Sequence, residues 1–421
     1  MTLPRIFPIR QSFPRPSVDD ITARAEAELE RVLPADRISD GAKIGVTVGS
    51  RGIANIAGIT RAVVGYLKSR GASPFIIPAM GSHGGATAEG QAHLLAHYGV
   101  TEDGVGAPVH AAMETEHQGT TAEGVEVYLA KTAVEADGVV LLNRIKPHTD
   151  YKGPIESGLT KICAIGLGKL DGATEYHSRI FDIGLGDAIR SAAGLIVGSG
   201  KVVGGLAILE NAYHDTADLV GVSTDGFFEQ EAEILKTAFG LMGKLPLMEL
   251  DVLYCQRLGK NISGAGMDTN IIGRGVYGYI PGTPWMEGLP AITRICLSDL
   301  TDESDGNSVG MGMAEYITRR FRDKIDHKVT NLNCMTANSP AGARMPIVLA
   351  DDRELLEAGI KTSPRREDGP RVALIRDTLS LENVYLSEAC LPLIEGREDI
   401  EIIEEPADPV FDDDGHLQLS F

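Results

Sequence analysis

Aromatic residues are scarce in this sequence, and its cysteines form no pairs. Phe, Trp and Tyr make up 5% of the 421 residues, with a single Trp. The five cysteines, Cys163, Cys255, Cys296, Cys334 and Cys390, are odd in number and far apart, with no Cys-x-x-Cys among them. Neither a disulfide framework nor a zinc knuckle is indicated. Long apolar runs are missing too. The longest, around Ala192 to Leu209, is broken by Lys201 and several glycines and cannot span a bilayer. The opening residues, Met1 to Arg10, lack the apolar stretch of a signal peptide, so a cytoplasmic location is expected. Positive charge is in deficit, with a net charge of −20. That argues against nucleic acid or an anionic membrane as a partner, since both select basic surfaces. A small anionic substrate stays compatible, because a few local Arg and Lys residues can reverse the field inside a cleft.

Glycine, by contrast, is abundant at 49 residues, which suits many tight strand-to-helix turns. The length calls for two domains. Short β-rich runs alternate with helical periodicity. Lys43 to Val48 reads as a strand, and Ile56, Ile59, Val63 and Leu67 recur at helical spacing within Asn55 to Arg70. Further strands are expected at Pro74 to Ala79, Gly138 to Leu142, Val203 to Leu209, Asp251 to Tyr254, Ile292 to Leu297, Pro346 to Ala350, Val372 to Ile375 and Ile400 to Ile403. Helices fit Thr87 to Tyr98, Glu229 to Leu245, Met313 to Ile325 and Leu386 to Ile394. Strand, helix, strand implies parallel crossovers, hence an α/β fold of two domains with largely parallel sheets and the active site in the cleft between them. Gly243 to Met248 is the expected boundary, giving domains 1–247 and 248–421.

Two glycine motifs fail as nucleotide sites. Gly273-Arg-Gly-Val-Tyr-Gly278 neither follows a strand directly nor opens a helix, as a dinucleotide fingerprint requires. Gly198-Ser-Gly-Lys201 has the wrong spacing for a P-loop and reads as a turn. More promising is Met80-Gly-Ser-His83-Gly-Gly-Ala-Thr87, which lies between a strand and a helix, at the edge where α/β sheets bind ligands. Its small residues allow backbone N–H groups to approach an anion near a helix N-terminus. After the strand at Val139 to Leu142, a Gly-punctuated loop concentrates Arg144, Lys146, His148, Lys152, Glu156 and Lys161. Such a density of ionisable groups is costly to bury without partners. A further His, His177, follows in Glu175-Tyr-His177. His93 and His97 are four apart on one helical face but lack a third local ligand and read as surface residues.

The Gly-Ser-His83, Lys-Pro-His148, Glu-Ser-Gly-Leu-Thr-Lys161 and Tyr-His177 blocks, in this order, resemble the nickel-dependent lactate racemase family. The similarity extends more loosely over Ser263 to Asn270. The resemblance implies that residues 1–247 form the cofactor-binding domain. It implies as cofactor a nickel pincer nucleotide, a pyridinium-3,5-bisthiocarboxylate mononucleotide, supplied by maturation enzymes and joined covalently to Lys161. By position, His177 would ligate the nickel, with Gly81 and Ser82 also against the cofactor. His83 and His148 would be the paired acid/bases. Arg51 would clamp the substrate carboxylate, with Arg274 as a second contact. The activity implied is racemisation or epimerisation of a 2-hydroxy acid. Its chemistry is coherent with these side chains: a square-planar site with three donors leaves room for one imidazole. An amine is a competent nucleophile for the tether. Hydride loss to a cofactor avoids removing a proton beside an ionised carboxylate, and histidine suits proton transfer in both directions.

The chain also departs from the family pattern. Val48-Gly-Ser-Arg51 lacks the family's acid before the arginine, the His148-to-Lys161 interval is longer, and Ile271 to Val276 replaces a substrate-touching Gln and Lys. A substrate other than lactate is therefore expected. The alternatives are a zinc or iron hydrolase or lyase built on His83, His148 and His177, and a non-catalytic ligand-binding protein.

Overall fold

β-rich runs and amphipathic stretches assemble into two main sheets in the computed structural model, which describes residues 2–50, 52–149, 151–276 and 288–421. One unit is Arg15–Met242, and the other joins Met1–Pro14 to Gly243–Phe421. Strand β1 (Ile6–Gln11) thus pairs with late strands and not with the segment that follows it. Its Phe7 and Ile9 are fully buried there. The contiguous 1–247 block expected from sequence does not anticipate this excursion, because six residues with a central Pro8 carry little periodic signal.

The Arg15–Met242 unit contains β2 (Lys43–Val48), β3 (Ser73–Pro78), β4 (Thr115–Thr120), β5 (Glu126–Ala130), β6 (Gly138–Arg144), β7 (Val202–Glu210) and β8 (Thr216–Val222). Five of them form a sheet in the order β3-β2-β6-β7-β8, while β4 and β5 make a separate antiparallel pair. Strands β3, β2, β6 and β7 run parallel, and β8 is antiparallel to β7. Successive side chains on a strand face opposite ways, so Val139 and Leu141 enter one apolar core while Val140 and Leu142 enter the other. The helix Ile56–Ser69 buries Ile56, Ile59, Val63 and Leu67, the stripe legible in its sequence.

From β2 the chain steps outward to β3, then returns to place β6 on the other side of β2. This reversal marks where ligands bind in open α/β sheets. The β2–β6 ladder runs from Ile44↔Gly138 to Val46↔Val140. Beyond it the Leu142 N–H donates to the Thr47 hydroxyl at 2.9 Å, so a side chain replaces the main-chain ladder. The strands therefore part at their carboxyl ends.

The other unit adds β9 (Glu249–Leu258), β10 (Ala291–Leu300), β11 (Tyr316–Thr318), β12 (Ile347–Leu349), β13 (Val372–Ile375), β14 (Asn383–Ser387) and β15 (Ile400–Ile402). The sheet order is β12-β11-β10-β9-β13-β14-β1-β15. β12 to β13 are parallel, and β14, β1 and β15 are antiparallel. Two expected helices are corrected here. Met313 to Ile325 holds β11 and the short helix Arg319–Asp323, whose start is fixed by the Thr318 hydroxyl accepting from the Phe321 N–H at 3.1 Å. Leu386 to Ile394 begins as the end of β14, and only Leu391–Ile394 is α-helical. Gly273 caps the short helix Thr269–Ile272 at φ +64°, while the last residues of its glycine motif lie outside the described residues. Gly198 to Lys201 is a turn after the helix Leu185–Gly198. No described helix is long and apolar enough to cross a membrane.

Candidate functional site

Three loops leave the carboxyl ends of β2, β3 and β6, and the expected site residues of this unit sit on them or just beyond. The loop after β6 is closed on itself around Glu156. That buried carboxylate accepts from the His148 N–H at 2.6 Å, the Lys152 ammonium at 3.2 Å and the Gly153 N–H at 3.3 Å. Lys152 also donates to the His148 carbonyl at 2.9 Å. Burial pushes the Glu156 carboxyl up, while Lys152 pulls the other way. The Tyr151 ring stacks on the His148 imidazole, centroids 4.3 Å apart. Arg144 serves the scaffold: it pairs with Glu210, whose other oxygen accepts from the Ala54 N–H at 2.7 Å and so ties down the loop after β2.

Lys161 ends a helical turn, Leu159–Lys161, and its Nζ meets His148 Nε2. His148 is 8% exposed. Burial, and then the charges of Lys161, Lys146, Lys152 and His177, hold its imidazole well below the ordinary histidine range. The ring is therefore neutral at working pH, with Nε2 accepting from the Lys161 ammonium and the proton on Nδ1.

Beyond Lys161 the chain makes a π-helical turn, Ile162–Gly166, a rare geometry often found at functional sites. It continues into the helix Leu167–Ser178, which bears His177 in its last turn. His177 Nδ1 lies 2.6 Å from the Ala173 carbonyl one turn earlier. A carbonyl only accepts, so Nδ1 carries a proton; when the ring is neutral, Nε2 has the lone pair, the tautomer a metal ligand needs.

His83 is exposed, and its Nδ1 meets the Ser50 hydroxyl from the loop after β2. Gly81 adopts φ +59° and donates its N–H to the Gly166 carbonyl at 3.3 Å, joining the His83 loop to the π turn. A side chain at 81 would press on Ile165, 3.0 Å from the nearest atom. The Ser82 carbonyl accepts from the Ala86 N–H at 3.1 Å. Within this loop, where backbone N–H groups are expected to be open to an anion, those of Gly81 and His83 are used within the protein, the latter on the Met80 carbonyl.

Arg51 lies outside the described residues. Arg274 belongs to the other unit, where it is built into the scaffold. One terminal nitrogen donates to the Met313 carbonyl and Glu315, both at 2.7 Å, and the other to the Ile292 and Thr293 carbonyls at 2.8 and 3.0 Å. With both nitrogens committed there, the second carboxylate clamp expected from sequence is not supported.

Among the described residues no three His, Cys, Asp or Glu side chains group to hold a metal ion. His83 meets Ser50 and His148 meets Lys161, so the three histidines of the zinc or iron alternative are not grouped among the described residues. His93 and His97 are exposed, as expected of surface residues. All five cysteines are free and buried.

Three buried polar residues escaped the sequence reading. Glu231, on the helix Phe227–Leu241, accepts from both the N–H and the hydroxyl of Thr160, at 2.9 and 2.5 Å, beneath the turn that bears Lys161. Lys169 and Gln91 are each fully buried between the His83 loop and the Leu167–Ser178 helix. Their partners are distant in sequence, and no motif announces them.

Fold and site together define an α/β protein whose reactive side chains gather at the carboxyl edge of a mostly parallel sheet. Residues 50–183 match the family model of the lactate racemase N-terminal domain. This stretch includes Ser50, His83, His148, Lys161 and His177. Over 88% of this chain and 94% of the other, the fold is similar to the lactate racemase apoprotein from Thermoanaerobacterium thermosaccharolyticum, with a TM-score of 0.53 and 14% sequence identity. No curated protein matches the chain at a significant level. The expected α/β class and the resemblance to the lactate racemase family are both borne out.

Proposed function

We propose that the protein racemises or epimerises a 2-hydroxy acid, with a nickel pincer nucleotide linked to Lys161 and His177 as the single protein ligand to its metal. The observation that carries this reading is the meeting of Lys161 Nζ with a neutral, buried His148, sixteen residues before an imidazole whose Nδ1 is occupied by a carbonyl. The donor set fits the group. A nickel held by one imidazole must take its other donors from something bound, and a lysine amine at the crevice offers the attachment point. Such a group supplies, when bound, reversible acceptance of a hydride from the substrate carbon.

The chain's own residues do the rest. His148, kept neutral, takes the proton of the substrate hydroxyl as the C–H bond breaks, and returns it in the reverse direction. His83 is the second acid/base, its ring held by Ser50, and serves the opposite enantiomer or epimer. Arg51, next in sequence to Ser50, is the proposed carboxylate clamp, since a planar guanidinium fixes a carboxylate with two parallel hydrogen bonds. Once Lys161 is acylated its charge is lost. The largest charge opposing protonation of His148 goes with it, which brings that imidazole closer to the range where it can both take and give a proton. Acylation would also free the His148 Nε2 that the ammonium engages in the amine form. Maturation enzymes that build the cofactor are the implied partners, in the cytoplasm.

The test is a panel of D- and L-2-hydroxy acids, from lactate and malate to aldonates, incubated in deuterated water with protein made in a host that assembles the cofactor. The proposal expects stereochemical scrambling of at least one member other than lactate, with little deuterium at Cα. Rapid Cα deuteration would mean direct proton abstraction and overturn the hydride reading.

A further inference from the structure

The Lys169 ammonium is fully buried. Its backbone adopts φ +54° and ψ −143°, a region where non-glycine residues are rare and which costs on the order of 1–3 kcal/mol. Glycine would occupy that position at less cost, and Gly166, Gly168 and Gly172 are close by in the chain. A lysine placed there against both penalties is explained by what its side chain holds. Nζ donates to the Pro78 carbonyl at the end of β3 and to Gln91 Oε1 at 3.0 Å. Because Oε1 accepts from the ammonium, the Gln91 amide nitrogen must face the other way. It donates to the Gly81 carbonyl at 2.8 Å and to the His83 carbonyl at 3.2 Å. Burial lowers the ammonium to about 8, with Glu114 pulling the other way, so it still carries its proton near neutral pH.

We propose that Lys169 and Gln91 form a clasp that positions His83 against the Lys161–His177 segment. Lys169 fixes the orientation of the Gln91 amide, and Gln91 fixes two carbonyls of the His83 loop. Neither residue touches a reacting atom, so both are positioning residues. The importance of the clasp rests on the acid/base role proposed for His83, but its existence does not. Gly81 and Gly166 join the same two segments through a main-chain bond, so the clasp reinforces an existing contact.

The test uses the full chain without cofactor and three variants. Lys169→Gly removes the side chain and suits the backbone angle. Gln91→Glu keeps an acceptor for Lys169 but loses both N–H donors. Ser50→Ala is the reference for a His83 ring without its hydroxyl partner. Hydrogen exchange is followed over residues 80–87, and the ring nitrogens of His83 are read by NMR on 15N-histidine protein, assigned with His83→Gln. Loss of two hydrogen bonds predicts exchange in this loop about tenfold faster or more in both clasp variants. The His83 ring shifts should move from their wild-type values toward those of Ser50→Ala. If both variants keep wild-type loop exchange and His83 ring shifts, with or without a fall in melting temperature, Lys169 is only a core support and the clasp is wrong. Because no cofactor is present, that failure leaves the proposed activity untouched, and an absence of racemisation would leave the clasp standing.

Discussion

An ammonium and an imidazole that meet nitrogen to nitrogen cannot both be protonated without a large penalty, so Lys161 and His148 share a constraint that neither has alone. The sequence carried both residues in a dense ionisable loop, and the family resemblance suggested their roles. It could not indicate that Glu156 gathers that loop, which depends on how the loop turns back within eight residues, or that Glu231 lies beneath it, a contact made across 71 residues. Glu231 yields a pH prediction. Burial raises its carboxyl from 4.5 to about 7, against the pull of the Thr160 hydrogen bonds. Below pH 4.5 the folded and unfolded states both hold the proton. Between 4.5 and about 7 the unfolded state ionises first, so stability falls as pH rises, and the loss is complete above about 7. Glu231→Gln removes this slope. The stability of the wild type relative to the variant should decline by up to roughly 3 kcal/mol across that window, measured by denaturant unfolding at stepped pH. Parallel profiles would mean that Glu231 ionises normally.

At the scale of elements, strands and long amphipathic helices were legible because period-2 and 3.6-residue patterns reflect which face is buried. Val372–Ile375 is a strand with the expected boundaries. Met313 to Ile325 misled because Ile317 and Phe321 sit four apart, as on a helix, yet Ile317 is in β11 and only Phe321 is helical. The π turn left no pattern at all; it lies between two helical segments and differs only in hydrogen bonding. The turn before it depends on Gly158, whose φ of 170° is open to any residue but whose surroundings are not. An added Cβ would stand 2.1 Å from Glu231 Oε1 and 2.7 Å from Ile145 Cγ1. Gly158→Ala should therefore cost about 1–3 kcal/mol through overpacking. In a Glu231→Ala background the cost should shrink, a coupling that a double-mutant cycle reads directly. Strictly additive effects would show that the crowding is relieved elsewhere.

Over the whole molecule, a net charge of −20 coexists with a histidine surrounded by Lys146, Lys152 and Lys161, so the local field in the site opposes that of the surface. The chain also uses its first residues far from their sequence neighbours. β1 pairs with β14 and β15, and its removal would expose both. Deleting residues 2–14 should raise hydrogen exchange across 383–402 while leaving the β2–β6 ladder protected; equal loss in both units would contradict the division of the chain. The central claim is that this fold presents Lys161 for covalent attachment of a nickel-bearing group. Its most direct test is peptide mapping, with metal analysis, of protein isolated from a host that makes the cofactor and active on a 2-hydroxy acid. The account predicts that the peptide containing Lys161 carries an added mass and that nickel is bound at one per chain. Active protein with an unmodified Lys161 would contradict it.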